Sequence, residues 1–210
     1  MKRLSVLLLC SVAFALHADD WPQWRGPDRD GAWRETGIIE KFPAKQIARK
    51  WSVPIGGGYS GPTVANGRVY VTDRIERPEQ ERIHCVDFKT GKKLWTHEYA
   101  VSYRDVNYPA GPRAAVTIDE GRAYALGAKG HFHCLDAKTG KVLWEHDCFS
   151  EYRIRLPIWG IAASPVVDGD LVVVMIGGTK ACVVAFDKKT GEEKWRALDD
   201  RANYATPTMI

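Results

Sequence analysis

Apolar residues in this chain come in short runs of roughly four to eight residues, the length of strands rather than helices. Between Asp19 and Ile210 no segment sustains an apolar period of 3.6 residues, so helices are expected to be few. The runs come in pairs separated by turns: GRVYV then IHCVDF, GRAYAL then HFHCLDA, and DLVVVMIG then ACVVAFD. Each pair follows another short run closed by a turn signal, namely PTVANG, AAVTIDEG and SPVVDGD. Val, Ile, Tyr, Phe and Leu inside the runs, with Gly, Asn and Asp at their borders, predict strands joined by hairpins.

A fixed motif closes each group. VDFKTGKKLW, LDAKTGKVLW and FDKKTGEEKW carry Asp87, Asp136 and Asp187, each eight residues before Trp95, Trp144 and Trp195, and the tryptophans recur 49 and then 51 residues apart. The segment ending in Trp supplies a further strand, giving four strands per unit of roughly 45 residues, the size of a propeller blade. In the turn, the Asp carboxylate and Thr hydroxyl can accept hydrogen bonds from nearby amides. Gly91, Gly140 and Gly191 supply a positive φ there at low cost. The Trp ring is then placed to cover apolar surface of a neighbouring blade.

This pattern resembles the tryptophan-docking repeat of the pyrroloquinoline-quinone (PQQ)-type β-propellers, a family that includes quinoprotein alcohol dehydrogenases and the propeller lipoprotein of the outer-membrane assembly machine. The resemblance runs from about Arg49 to the end and implies an all-β partial β-propeller of four-stranded antiparallel blades, expected at about 56–99, 108–148 and 159–199. IARKWSVPI, around Trp51, resembles a last strand without its predecessors, as in propellers closed by an N-terminal strand. NYATPTMI, from about residue 203, resembles the start of a further blade. Since propellers close with roughly four to eight blades, the missing ones are expected from the remainder of a longer chain or from another chain.

The N-terminus gives an address. Met1, Lys2 and Arg3 precede an apolar run from Leu4 to Leu16, and Leu-His-Ala offers cleavage after Ala18. Residues 1–18 therefore read as a signal peptide and 19–48 as an N-terminal arm, in a periplasmic or secreted protein with no membrane span. The arm carries WPQWRGPDRDG, which resembles the start of a group of exported bacterial PQQ-like repeat proteins; a plug over one propeller face is its expected role.

Beyond the leader, 28 basic side chains face 26 acidic ones, and the lysines are scattered through hairpins. No nucleic-acid partner is implied. Cys85, Cys134, Cys148 and Cys182 lack metal-site spacing and read as buried thiols. His131 and His133 share one side of a strand, but His133 matches His84 and His97 matches His146 in the adjacent repeat, which points to packing.

Binding sites break such symmetry. Two long connections do not recur, Tyr99 to Arg113 and Phe149 to Gly160, and each leads into the innermost strand of a blade. Tyr59, Arg113, Trp159, Ser164 and Tyr204 beside these connections are the candidates for a pore-mouth site. A cation among flat rings suits a planar anion, of which PQQ is one, although aromatic packing around a carbonyl-held arginine accounts for the same residues.

The expected function is a ligand- or protein-binding scaffold with an unknown protein or small molecule as partner. The resemblance also allows a fragment of a PQQ-dependent alcohol or sugar dehydrogenase, with PQQ and calcium, or a scaffold of the outer-membrane assembly type. Classical members carry adjacent cysteines and a Glu, Asn and Asp set, whereas this chain has no adjacent cysteines, and Asp105 with Asn107 or Asp200 with Asn203 match no motif of that set.

Overall fold

The computed structural model describes residues 19–42 and 47–209; the leader read at 1–18 lies outside the described residues. Three four-stranded antiparallel sheets follow one another along the chain. The first holds β1 (Thr63–Ala65), β2 (Arg68–Glu76), β3 (Glu79–Asp87) and β4 (Lys93–Ala100). The second holds β5 (Thr117–Asp119), β6 (Arg122–Leu126), β7 (His131–Asp136) and β8 (Val142–Asp147). After a single helical turn, α1 (Cys148–Glu151), the third holds β9 (Val166–Asp168), β10 (Leu171–Gly178), β11 (Ala181–Asp187) and β12 (Glu193–Ala197). Within each sheet the strands pair in chain order, as four-stranded blades do.

The Asp-Thr-Gly turns are built as their residues dictate. Asp87 Oδ1 accepts from the amides of Lys89 and Thr90 at 3.1 and 2.8 Å and from the Thr90 hydroxyl at 2.7 Å. Asp136 repeats the set with Lys138 and Thr139, and Asp187 accepts the amides of Lys189 and Thr190. Those bonds hold each carboxyl below the ordinary range.

Each turn is also a receptor for the preceding tryptophan. A Cβ on Gly91 would stand 2.8 Å from the Trp51 ring, and on Gly140 and Gly191 it would stand 2.7 Å from Trp95 and Trp144. Only a residue without a side chain admits the indole, and φ near +70 to +77° at these positions independently favours glycine. The indole N–H of Trp51 donates to Phe88 O at 2.9 Å, Trp95 to Ala137 O at 3.1 Å and Trp144 to Lys188 O at 3.3 Å. One residue in each last strand is bulged just before its tryptophan, shifting the register between Cys85 and Val86 and at the matching places in the other two sheets.

Tyrosines reinforce two of these joints. Tyr70 and Tyr124 donate their hydroxyls to the same carbonyls, Ala137 O at 3.1 Å and Lys188 O at 2.9 Å. Cys85 and Cys134 sit directly between tyrosine and tryptophan in the cross-strand rows Tyr70–Cys85–Trp95 and Tyr124–Cys134–Trp144. All four cysteines of the described residues are free and buried, and burial pushes the Cys85 thiol up to about 11. Trp195 is different: it is 41% exposed, and every residue of β12 is exposed.

The segment around Trp51 forms no strand, so its role is carried by the docked indole alone. Residues 203–209 likewise contain no strand. The arm is attached by main-chain bonds and by the side chain of Arg29. Trp21 exchanges hydrogen bonds with Val64 at 2.8 and 3.0 Å, Ile118 N donates to Pro22 O at 2.8 Å, and Arg29 donates to Val167 O. It thereby crosses the innermost strand of all three sheets, leaving Trp24 half exposed.

Candidate functional site

The stretches leading into β1, β5 and β9 converge on a cavity of about 320 Å³ lined by Tyr59, Tyr108, Arg113, Trp159, Ala162 and Tyr204. Four of the five residues singled out from the sequence meet here. Ser164 does not: it is 2% exposed, its Oγ accepts from Ala115 N at 2.9 Å, and its amide donates to Thr206 Oγ1 at 3.0 Å. Its place between successive inner strands makes it a strut.

Sequence reasoning missed Tyr108 and Ala162 as lining residues. Tyr108 lies in the quoted connection, and its positive φ of 53° together with 68% exposure marks a ring presented by the loop rather than packed under it. The Tyr108 and Trp159 rings meet edge to face at 6.3 Å, and Trp159 lies 4.8 Å from Tyr204 with 34° between planes. These rings offer flat apolar surface to a planar molecule.

Arg113 supplies the cation. Its guanidinium donates to Gly111 O at 2.5 Å, Asn107 O at 2.9 Å and Tyr108 O at 2.7 Å, and lies over the Tyr59 ring at 5.1 Å. The side chain thus fastens the loop that carries Tyr108. Burial lowers its tendency to hold a proton, while Tyr103, Tyr59 and Glu81 oppose that effect. Among the described residues Arg113 forms no ion pair, so its charge faces the cavity uncompensated by a contacting carboxylate.

Beneath the loop lies a buried network absent from any sequence motif. Tyr103 is 4% exposed, its amide donates to Glu79 Oε1 at 2.9 Å, and its hydroxyl donates to Glu81. Two guanidiniums lie over its ring, Arg74 at 4.4 Å and Arg113 at 6.0 Å from the centroid. Arg74 is paired with Glu79 at 2.6 Å. Glu81, 1% exposed, accepts from the hydroxyls of Tyr99 and Tyr103 and from Ala128 N at 3.1 Å. Burial and the Glu81 charge push both phenols far above their ordinary range.

The histidines serve the joint between the first two sheets. His133, 4% exposed, lies 4.9 Å from His97 and 4.4 Å from Tyr99, while Tyr99 also contacts His131 at 5.1 Å. Among the described residues no three His, Cys, Asp or Glu side chains converge to hold a metal ion. The fit to a calcium-bound tricarboxylate quinone is correspondingly poor. The cavity offers one arginine, three of whose N–H groups are already engaged by carbonyls.

Comparison with known proteins agrees with this architecture. The quinohemoprotein alcohol dehydrogenase of Comamonas testosteroni is 26% identical over 193 residues, covering 88% of this chain and 26% of the relative. Its crystal structure superposes with a TM-score of 0.64 at 25% identity, over 84% of this chain and 27% of that one. A europium-containing methanol dehydrogenase matches with a TM-score of 0.64 at 19% identity, over 86% of this chain and 32% of its own, a likeness of fold alone. This chain therefore spans about a quarter to a third of the length of these relatives. Residues 79–209 match the family described as outer membrane protein assembly factor BamB, and the chain belongs to this family of PQQ-type propeller repeats.

Proposed function

We propose that this chain is part of an exported propeller, periplasmic or secreted, whose pore-mouth pocket binds a small planar ligand and which acts as a binding scaffold. The observation that carries the reading is the convergence of Tyr59, Tyr108, Trp159 and Tyr204 around an arginine that forms no ion pair among the described residues. Flat rings supply stacking surface, and the guanidinium supplies one positive charge at the rim. The ligand class is small, since a cavity of about 320 Å³ sits at the lower end of the range for small-molecule sites.

Calorimetric titration with 2-naphthoate tests this. Saturable binding that weakens at least about tenfold in Trp159→Ala is expected, a loss equivalent to about 1.4 kcal/mol. Absence of binding, or binding indifferent to that substitution, would remove the pocket from the account. The similarity to a quinohemoprotein alcohol dehydrogenase over most of the chain favours a second reading, a fragment of a PQQ-dependent enzyme. Calcium-dependent dye reduction by the chain in the presence of PQQ and an alcohol would support that reading instead.

A further inference from the structure

Glu81 is a charge without a cation. It is buried to 1% exposure in β3, three donors meet its two oxygens, and among the described residues no arginine, lysine or histidine forms an ion pair with it. Its neighbour in the strand pattern, Glu79, is the partner of Arg74, so Arg74 is already compensated. Arg113 is the guanidinium left over. It lies 6.0 Å from the Tyr103 ring, whose hydroxyl donates to Glu81. The buried Tyr103 side chain therefore links a buried anion, bonded to its hydroxyl, with a half-buried cation near its ring, and their attraction is weakly screened.

We infer that Glu81 is the specificity-determining residue of the pore-mouth pocket: acting through Tyr103, it offsets the charge of Arg113 and selects planar ligands carrying one anionic group over those carrying several. This inference rests on the pocket being a ligand site. The first carboxylate of a ligand meets the remaining donors of Arg113. A second or third would meet aromatic faces, whose quadrupoles repel anions, and the field of Glu81 behind them. The same arrangement explains the poor fit to a tricarboxylate quinone.

The test uses 2-naphthoate and naphthalene-1,4,5,8-tetracarboxylate as probes, titrated calorimetrically against the whole chain and against Glu81→Gln. Glutamine keeps an acceptor for Ala128 N and Tyr103, places a donor opposite the Tyr99 hydroxyl, which can accept in turn, and removes the charge. The wild-type protein is expected to prefer the monocarboxylate. In Glu81→Gln the tetracarboxylate should tighten by about tenfold or more relative to the monocarboxylate, the scale of one unit charge acting across a ring at an effective dielectric of about 20. A merely structural role for Glu81 would weaken both probes together, and an unchanged ratio would overturn the inference while leaving the pocket intact. Failure of both probes to bind the wild type would overturn the pocket itself. Should Glu81→Gln not fold, the wild-type ratio decides: a preference for the tetracarboxylate at low salt refutes the selection, and a preference for 2-naphthoate at both low and high salt sustains it.

Discussion

Replacing Trp144 with alanine isolates the joint between the second and third sheets. The indole is 9% exposed, lies on Gly191, and touches Tyr124, Phe132 and Phe186 at ring separations of 6.0, 5.2 and 6.3 Å. A buried Trp removes roughly 150–250 Å² from water, which at about 0.025 kcal/mol per Å² is worth about 4–6 kcal/mol as an upper bound. The lost hydrogen bond adds little, because Lys188 O keeps its bond from Tyr124 at 2.9 Å. Large-to-small truncations at such sites cost about 3–5 kcal/mol, and that is the loss expected here. Trp195→Ala is the internal control: same motif, no receptor glycine among the described residues, 41% exposed, with a cost below about 1 kcal/mol. Because blades contact mainly their neighbours, hydrogen exchange read strand by strand is the suitable assay, with protection falling in β8 and β10–β11 and persisting in β2–β3. Equal costs for Trp144→Ala and Trp195→Ala would refute the docking account.

Gly140→Ala should cost about 2 kcal/mol or more in urea unfolding, since its φ of +76° is joined by a Cβ 2.7 Å from Trp95, whereas Gly121→Ala, with the same φ and nothing within 4 Å, should cost about 1 kcal/mol. His133 has its folded pKa pushed down to about 3 by burial and by His97 and His131. The unfolded chain binds that proton below about pH 6.5 and the folded one does not, so stability is full above that pH and falls by about 1.4 kcal/mol per unit as pH drops towards 3. At pH 5 the loss should reach about 2 kcal/mol, and His133→Phe should flatten the profile in pH-dependent unfolding. Ser164→Ala orphans the buried Ala115 amide, so unfolding should register a loss of about 1–3 kcal/mol while 2-naphthoate affinity at the intact pocket stays within about twofold.

The blade pattern was legible because each strand buries one face and the Asp-Thr-Gly turn has a local chemistry. Asp87, Asp136 and Asp187 organise their own amides whatever the rest of the chain does. The receptor for each tryptophan was less legible, since Trp95 and Gly140 meet across 45 residues and only geometry shows that the ring sits on the glycine. The tyrosines of GRVY and GRAY recur visibly, yet their hydroxyl partners lie in the following unit. Broken symmetry pointed to Tyr59, Arg113, Trp159 and Tyr204, which line one cavity, and to Ser164, which lies buried outside it, because a small polar residue beside an inner strand serves equally well as a strut. Glu81 gave no signal: in alternation with Glu79 it reads as a solvated edge, and only the arrival of Tyr99 and Tyr103 from elsewhere makes it a buried charge.

The most direct test of the central claim is a crystal structure of the chain soaked with 2-naphthoate. The account predicts the naphthalene ring stacked among Tyr59, Trp159 and Tyr204 with its carboxylate directed at Arg113. A ligand bound elsewhere on the molecule, with those rings unchanged, would contradict it.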